Sequence, residues 1–331
     1  MIQTIIEQLE RHRRFLVASH AHPDGDAIGS LLAMGLALKA MGKEVLMYNE
    51  SPIPAVYRFL PLVHTIRHKI DPAANFDAAI VLDCGDVERL GTATADLERI
   101  PLVVNIDHHV TNTGFGHLQL IDHDACATAE IVHRLIEKLP VAIDVAMATA
   151  IYTGILTDTG SFRFSNTNQS AFAICAKMIG QGANAYEVAQ HVYGTYSLGR
   201  IKLLNLALDS LEISPNGRLS VMTLTRRMLR ETRTHDEDID GIINYARRIQ
   251  CVKVAALIHE QSSNGSASKG RRHFHVSLRS DGSVDVAQIA TQFGGGGHAS
   301  AAGFSAESSL AELKAELMRL AEGIADKCDP N

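Results

Sequence analysis

The chain has 331 residues, of which 46% are hydrophobic and 21% charged, and its formal net charge is −6. That length suits two domains with separate cores, and the balance excludes large-scale disorder. An acidic total argues against long duplex DNA as a partner, because such proteins present a basic face. A short anionic ligand stays open, since bound cations reverse the local sign.

The first residues, Met1-Ile-Gln-Thr, lack the basic segment, apolar core and cleavage site of a signal peptide, so the cytoplasm is the expected location. Arg14 to Ser19 reads as a buried strand, Asp26 to Met41 as a helix, and Lys43 to Tyr48, Ala78 to Leu82 and Leu102 to Ile106 as further strands. The apolar run Ala27 to Met41, interrupted by Lys39, is too short to span a bilayer, and no membrane partner is expected. Strands alternating with helical patterns predict an α/β fold, a mainly parallel sheet with helices on both faces. Helices follow at Ala127 to Leu139, Asp144 to Leu156 and Asn168 to Ile179.

Ser197 to Leu211, with Leu198, Ile201, Leu204 and Leu208 in helical spacing, reads as a connector between two compositional blocks. Beyond it the pattern changes to a smaller mixed α/β domain. Leu211 to Ser214, Pro-Asn-Gly and Arg218 to Leu224 form a hairpin signal, and Cys251 to Ile258 and His273 to Arg279 are strands. The polar stretch Ser262 to Arg272 predicts a mobile loop. Val286 to Phe293 and Leu310 to Ile324 read as helices. The expected division is 1–190, a connector over 191–214, and 215–331. Five cysteines, Cys84, Cys126, Cys175, Cys251 and Cys328, form no CxxC pair and read as small buried hydrophobes, the last near a loose tail.

Chemistry concentrates at strand ends. His20-Ala-His-Pro-Asp24-Gly-Asp26 directly follows the first strand, where open α/β sheets bind ligands. One Asp could cap the following helix. A cap does not account for the second Asp and His20, and such a cluster repels itself unless a divalent cation sits among it. Two more apolar strands end in Asp83 and in Asp107-His108-His109. Asp158 closes an apolar helix, where the helix dipole disfavours an anion. Asp24, Asp26, Asp83, Asp158, His20 and His108 are too many ligands for one zinc and suit two ions sharing a carboxylate. Two metals about 3.5–4 Å apart lower the pKa of a shared water and stabilise both oxygens in phosphoryl transfer. Mixed carboxylate and imidazole ligation favours Mn2+, with Mg2+, Co2+ and Fe2+ as alternatives.

The second signal is Phe293-Gly-Gly-Gly-Gly-His298. Consecutive glycines are tolerated where a backbone passes close to something or forms an anion-binding concavity, here from Gly295, Gly296 and Gly297. His298, Arg279 and Ser280 could contact a phosphate. No Lys-Ser or Lys-Thr follows the run, so it is not a P-loop.

Taken in order, these motifs resemble the DHH phosphoesterase superfamily over nearly the whole chain. Asp107-His108-His109 matches its naming tripeptide, and GGGGH with Ser277-Leu-Arg-Ser280 resembles its DHHA1 domain. The resemblance implies that His20, Asp24 and Asp83 hold one metal, and that Asp26, Asp83, His108 and Asp158 hold the other, with Asp83 bridging. It also implies that Asp107 supports the histidines, that His109 faces the phosphate, and that Arg279, the glycine amides and His298 grip a nucleotide. The active site would lie in a cleft between the domains. His22 is assigned no metal role. The layout is similar to the branch that hydrolyses oligoribonucleotides of about 2–5 nucleotides and 3′-phosphoadenosine 5′-phosphate (pAp). Stand-alone enzymes for cyclic-di-AMP or linear pApA and pGpG share that layout, and a silent nucleotide sensor is a further alternative. Short RNA, dinucleotides and pAp are thus the expected partners, with a homodimer left open.

Overall fold

A computed structural model describes residues 1–194, 196–261 and 271–324, with only the backbone for His298. The expected mobile loop, over its residues 262–270, and Cys328 lie outside the described residues. The chain divides into two compact units, Met1–Thr195 and Tyr196–Asn331.

The first unit is built on five parallel strands, β1 (Arg14–Ser19), β2 (Glu44–Tyr48), β3 (Ala78–Leu82), β4 (Val103–Asp107) and β5 (Leu118–Ile121), in the order β2-β1-β3-β4-β5. Its helices are α1 (Ile2–Arg11), α2 (Gly25–Ala40), α3 (Thr94–Leu97), α4 (Thr128–Ile136), α5 (Val145–Asp158), α6 (Gln169–Gly180) and α7 (Ala185–Ala189). Side chains alternate along each strand. Phe15, Val17, Ile80, Leu82, Val104 and Ile106 therefore join the core under α2, α4 and α5. Leu16, Ala18, Ala79, Val81 and Val103 pack on the other face against Leu90 and Leu97, from 3-10 and α-helical turns. The helices fall on both faces, as the alternation predicts. Sequence reading misses α1 and β5, the first amphipathic and short, the second only half-buried at an edge.

Helix α2 is buried from Gly25 to Leu38, because it runs between the sheet and the helices α4 and α5. Such an all-round apolar helix has no solvent stripe to reveal its orientation. Gly29 makes the crossing with α5 close: a Cβ there would sit 2.4 Å from the Ala150 carbonyl oxygen and 3.1 Å from the Gly154 nitrogen.

The second unit contains α8 (Leu198–Asp209), β6 (Glu212–Ile213), β7 (Leu219–Leu224), α9 (Arg226–Thr232), α10 (Ile243–Arg247), β8 (Val254–Glu260), β9 (Arg272–Ser280), α11 (Val286–Thr291), β10 (Gly296–His298), β11 (Ala301–Ser308) and α12 (Leu310–Leu320). Its sheet has the order β10-β11-β9-β8-β7-β6, with β7 and β8 parallel and the other neighbours antiparallel. Leu313 and Leu317 of α12 cover one face, and Leu203 and Ala207 of α8 cover part of the other. Helix α8, read from the sequence as a connector, packs within this unit. Leu198, Ile201 and Leu208 are exposed, because α8 turns its Leu203–Ala207 side to β7 within this unit.

Among the described residues, no helix is long and apolar enough to cross a membrane. Of the cysteines described, Cys84, Cys126 and Cys175 are free and buried, as expected, whereas Cys251 is half-buried.

Replacing Gly29 with valine forces α2 away from α5, and the expected loss is about 2–3 kcal/mol of stability. Urea unfolding of the metal-free protein measures it. An unchanged midpoint would show that the two helices do not meet at this distance.

Candidate metal centre

Strands β1, β3 and β4 end side by side, and their carboxyl ends deliver His20, Asp83 and the Asp107-His108-His109 turn to one edge of the sheet. Asp24 caps α2 through one oxygen, accepting from the amides of Asp26 at 3.1 Å and Ala27 at 3.0 Å. The capping role read from the sequence is thus filled by Asp24, which also lies in a ligand cluster with His20 and Asp83.

Asp26 has a different anchor. Its carboxylate accepts from the amides of Thr128 at 2.6 Å and Ala129 at 2.9 Å, and from the Ser30 hydroxyl at 3.2 Å. It therefore sits at the positive N-terminus of α4, which offsets part of its desolvation. Gly154 leaves space for it: a Cβ there would lie 2.9 Å from Asp26 Oδ1.

Asp83 follows β3 in a left-handed backbone conformation, φ 53°, and is 1% exposed. Strain of this kind persists only where its surroundings enforce it. The Thr128 hydroxyl donates to Asp83 Oδ1 at 3.1 Å, and His20 Nε2 approaches Oδ2 to 3.5 Å. His20 Nδ1 donates to the Ala21 carbonyl at 2.8 Å, which turns Nε2 inward. His108 is set likewise, by Nδ1 on the Ala125 carbonyl at 3.2 Å, and its Nε2 lies 3.6 Å from Asp158 Oδ2 and 3.9 Å from Asp83 Oδ1. Asp107 is fully buried and accepts from His109 Nδ1 at 2.7 Å and from Asn112 Nδ2 at 2.6 Å. Asp158, at the end of α5, accepts from Asn166 Nδ2 at 3.0 Å.

Three groups of ligand atoms result, each within 4.8 Å: His20, Asp24 and Asp83; Asp26, His108 and Asp158; and Asp83, His108 and His109. These groups could hold metal ions, and the donor chemistry fits hard or borderline divalent cations. His22, exposed and with φ 56°, is in none of them. Asp86 belongs to the protein's scaffolding instead, capping the turn that follows it through the Glu88 amide. Thr128, Asn112 and Asn166 were not singled out from sequence. Thr128 reaches Asp83 from 45 positions away, and Asn112 and Asn166 reach Asp107 and Asp158 across short loops; an isolated Thr or Asn carries no local signature.

The electrostatics express the crowding. Burial and the neighbouring Asp83 push Asp26 up to about 7, against the pull of His108. Burial and the charge of Asp26 raise Asp158 well above the carboxylate range. Burial would raise Asp83 too, but the hydrogen bond and charge of His20 hold it below the ordinary value. Burial would lower His20 and His108. Asp83 and Asp24 bring His20 to about 9, and Asp26, Asp158 and Asp83 bring His108 to about 9. The metal-free site thus takes up protons where a cation would sit.

In the second unit, Arg279 is half-buried on β9 and donates from Nη1 to the Leu278 carbonyl at 2.9 Å. Ser280, expected beside it on phosphate, is buried on the opposite face by the pleat. Its hydroxyl accepts from the amides of Gly282 at 3.0 Å and Val284 at 3.3 Å, closing a turn. The glycine run enters β10, an edge strand against β11. A Cβ on Gly295 or Gly297 would lie 2.2 Å from the Gly303 oxygen or 2.5 Å from Ala302 Cα, whereas Gly296 faces open space. The close approach read from these glycines is therefore to β11. The Gly295 amide is committed to the Ala290 carbonyl at 2.9 Å, which removes it as an anion donor. The side chain of His298 lies outside the description; its backbone pairs with Ala301.

Comparison with known proteins agrees with this architecture. Residues 14–155 match the DHH family, N-terminal domain, and residues 217–326 the DHHA1 domain. The chain is 33% identical, over 87% of its length and 82% of the relative, to the bifunctional oligoribonuclease and PAP phosphatase NrnA of Thermus thermophilus. It superposes with a TM-score of 0.89 and 24% identity on an exopolyphosphatase-related protein from Bacteroides fragilis, covering 97% and 96% of the two chains. RecJ from Thermus thermophilus, in complex with Mn2+, shares the fold at a TM-score of 0.53 and 14% identity, covering 98% of this chain and 55% of that one.

Two measurements test the centre. The raised histidines stabilise the metal-free fold fully below pH 6.5, and that stability is lost as pH rises through about 9. The chelator-stripped protein should therefore melt at lower temperature at pH 9 than at pH 6.5, with Mn2+ restoring more of the loss at the higher pH. Thr128→Val removes the hydroxyl donor to Asp83 but keeps the amide to Asp26. Calorimetry should show Mn2+ affinity about tenfold weaker, and unaltered affinity would remove Thr128 from the centre.

Proposed function

We propose, for a chain that belongs to the DHH family and is a hydrolase of phosphate esters, that its substrates are short oligoribonucleotides and pAp. The observation that carries the reading is the sharing of Asp83 and His108 among three ligand clusters at one sheet edge. Such sharing suits a pair of ions better than a single one. His20, Asp24 and Asp83 would hold one, and Asp26, Asp83, His108 and Asp158 the other. The named relative acts on oligoribonucleotides and PAP, which supports the substrate class. Mn2+ is the proposed metal, consistent with the ligand chemistry.

Bound divalent ions supply a water of lowered pKa and positive charge opposite the phosphate oxygens. The protein's own part is orientation. Thr128 and the α4 amides fix the buried carboxylates of Asp83 and Asp26, so their charge is aimed before substrate arrives. Asp107 holds His109 by Nδ1, a hydrogen bond that also keeps the imidazole protonated to higher pH against its burial. A protonated His109 would donate to a phosphate oxygen and favour the charge that grows there. Arg279, the amides of Gly296 and Gly297, and His298 are the proposed nucleotide contacts in the second unit.

The test offers purified protein with Mn2+ to pApA, a 5-mer RNA, pAp and cyclic-di-AMP in parallel. Release of mononucleotide from the short RNAs and of phosphate from pAp is expected. Asp83→Asn should lower turnover by about a thousandfold or more. Activity confined to cyclic-di-AMP would overturn the substrate assignment, and full activity of the variant would overturn the role of Asp83.

A further inference from the structure

The strand order β2-β1-β3-β4 places the end of β2 beside that of β1, at the sheet edge that carries the metal centre. The candidate ligands follow β1, β3 and β4 or belong to α2 and α5. The chain beyond β2 carries different chemistry. His64, Arg67, His68 and Lys69 fall within six residues, and all four are exposed. Hydrogen bonds hold this segment in place. Arg67 forms a parallel bridge with Tyr48, its amide donating to the Met47 carbonyl at 2.8 Å and its carbonyl accepting from the Asn49 amide at 3.0 Å. His68 Nδ1 donates to the Asn49 carbonyl at 2.9 Å. Asn49 is fully buried and donates in turn from Nδ2 to the His20 carbonyl at 2.8 Å. A single residue therefore links the basic segment to the candidate ligand His20.

Arg89 adds a further cation on the other side of β1. It lies, exposed, in the 3-10 turn Val87–Ala93 that follows β3. The Ala21 amide donates to its carbonyl at 2.7 Å, which ties the turn to the loop of His20. The Thr92 amide donates to the Glu50 carboxylate at 3.3 Å, which ties it to the turn after β2. Burial lowers His20 and raises Cys84, and the charge of Arg89 lowers both, so the guanidinium stands close to the side of the centre where His20 meets Asp83. Among the described residues, Arg67, Lys69 and Arg89 form no ion pair with a carboxylate. Unpaired cations gathered beside the centre of a chain with formal net charge −6 suit a polyanion that runs past it.

We propose that Arg67, Lys69 and Arg89 form a rim that binds the phosphodiester backbone of an RNA beyond the bond being cut, and so favours chains of several nucleotides over dinucleotides. The proposal rests on the phosphoesterase reading above and deepens it with residues of the first unit alone. Adjacent strands lie about 4.8 Å apart, so β2, β1 and β3 bring the three cations within reach of a few consecutive nucleotides. In pApA the only phosphodiester is the bond being cut, whereas a 5-mer offers further ones to the rim. Contacts of this kind read charge and not base sequence.

The experiment uses full-length protein in two arms. The first measures kcat/KM with Mn2+ for pApA and for the 5-mer RNA that extends it. Arg67→Gln combined with Lys69→Gln should cut the ratio of 5-mer to pApA about tenfold, chiefly through KM for the 5-mer, and Arg89→Gln should lower it as well. Arg11→Gln combined with Lys39→Gln makes the same change of charge before β1 and β2, at the opposite edge of the sheet, and should leave the ratio in place. A ratio unmoved by the rim variants overturns the proposal, and so does an equal fall in the opposite-edge variant. The second arm follows binding of a fluorescein-labelled 5-mer to chelator-stripped protein by anisotropy, between about 50 and 200 mM KCl. Each phosphate contact on a single strand contributes about 0.7 to the slope of log affinity against log salt, so the double rim variant should lose about 1.4 of it. An unchanged slope, or no binding by wild type, overturns the rim. If wild type with Mn2+ cleaves neither RNA, the hydrolytic reading fails and the salt slope alone decides the rim.

Discussion

Asp26 is 1% exposed, yet it lies beside three other carboxylates. Its position is tolerable because α4 begins there. The amides of Thr128 and Ala129 have no helical partners of their own, and they find the carboxylate of a residue about a hundred positions earlier. The contact locks α2 to α4 and aims the Asp26 oxygens, while the Thr128 side chain reaches across to Asp83. Packing of the helical layer and geometry of the polar centre are thereby one constraint. The glycines at 29 and 154 belong to it, since larger residues would separate the helices or displace the carboxylate.

The remaining features of the centre follow from crowding. Buried carboxylates raise one another, and each histidine is drawn toward its charged form by the anions around it. Protons and divalent cations then compete for the same negative cavity, the ordinary linkage between metal affinity and pH. The histidines are held by main-chain carbonyls or by Asp107 through Nδ1, which sets the direction of each ring. Such fixed rings lose little freedom when a ligand arrives.

The second unit is built on different local chemistry. Its glycine strand is shaped chiefly by close packing on β11. Arg279 on β9 and Arg247 at the end of α10 are both half-buried, and Arg247 reaches the Ser280 carbonyl at 3.5 Å.

Much was legible in the amino-acid sequence. Parallel strands β1 to β4 follow from short apolar runs, and a run that ends in Asp or His declares its chemistry because strand ends gather at one edge. His20, Asp24, Asp26, Asp83, His108 and Asp158 were accordingly readable as one set of ligands, and the structure brings all six into its clusters. Other assignments needed tertiary structure. Ser280 adjoins Arg279 in the chain but faces the other way, and only the burial of each β9 face tells which side is open. Leu198, Ile201 and Leu208 of α8 are exposed, because the helix buries its Leu203 and Ala207 side against β7, a choice its periodicity alone does not make. Thr128, Asn166 and Arg247 carry no local periodicity or motif; their partners lie 45, 8 and 33 positions away. Residue type and spacing thus determined which groups can do chemistry, whereas the packing of distant segments decided which of them are aimed at one another, because hydrogen bonds and charges act through space and not along the chain.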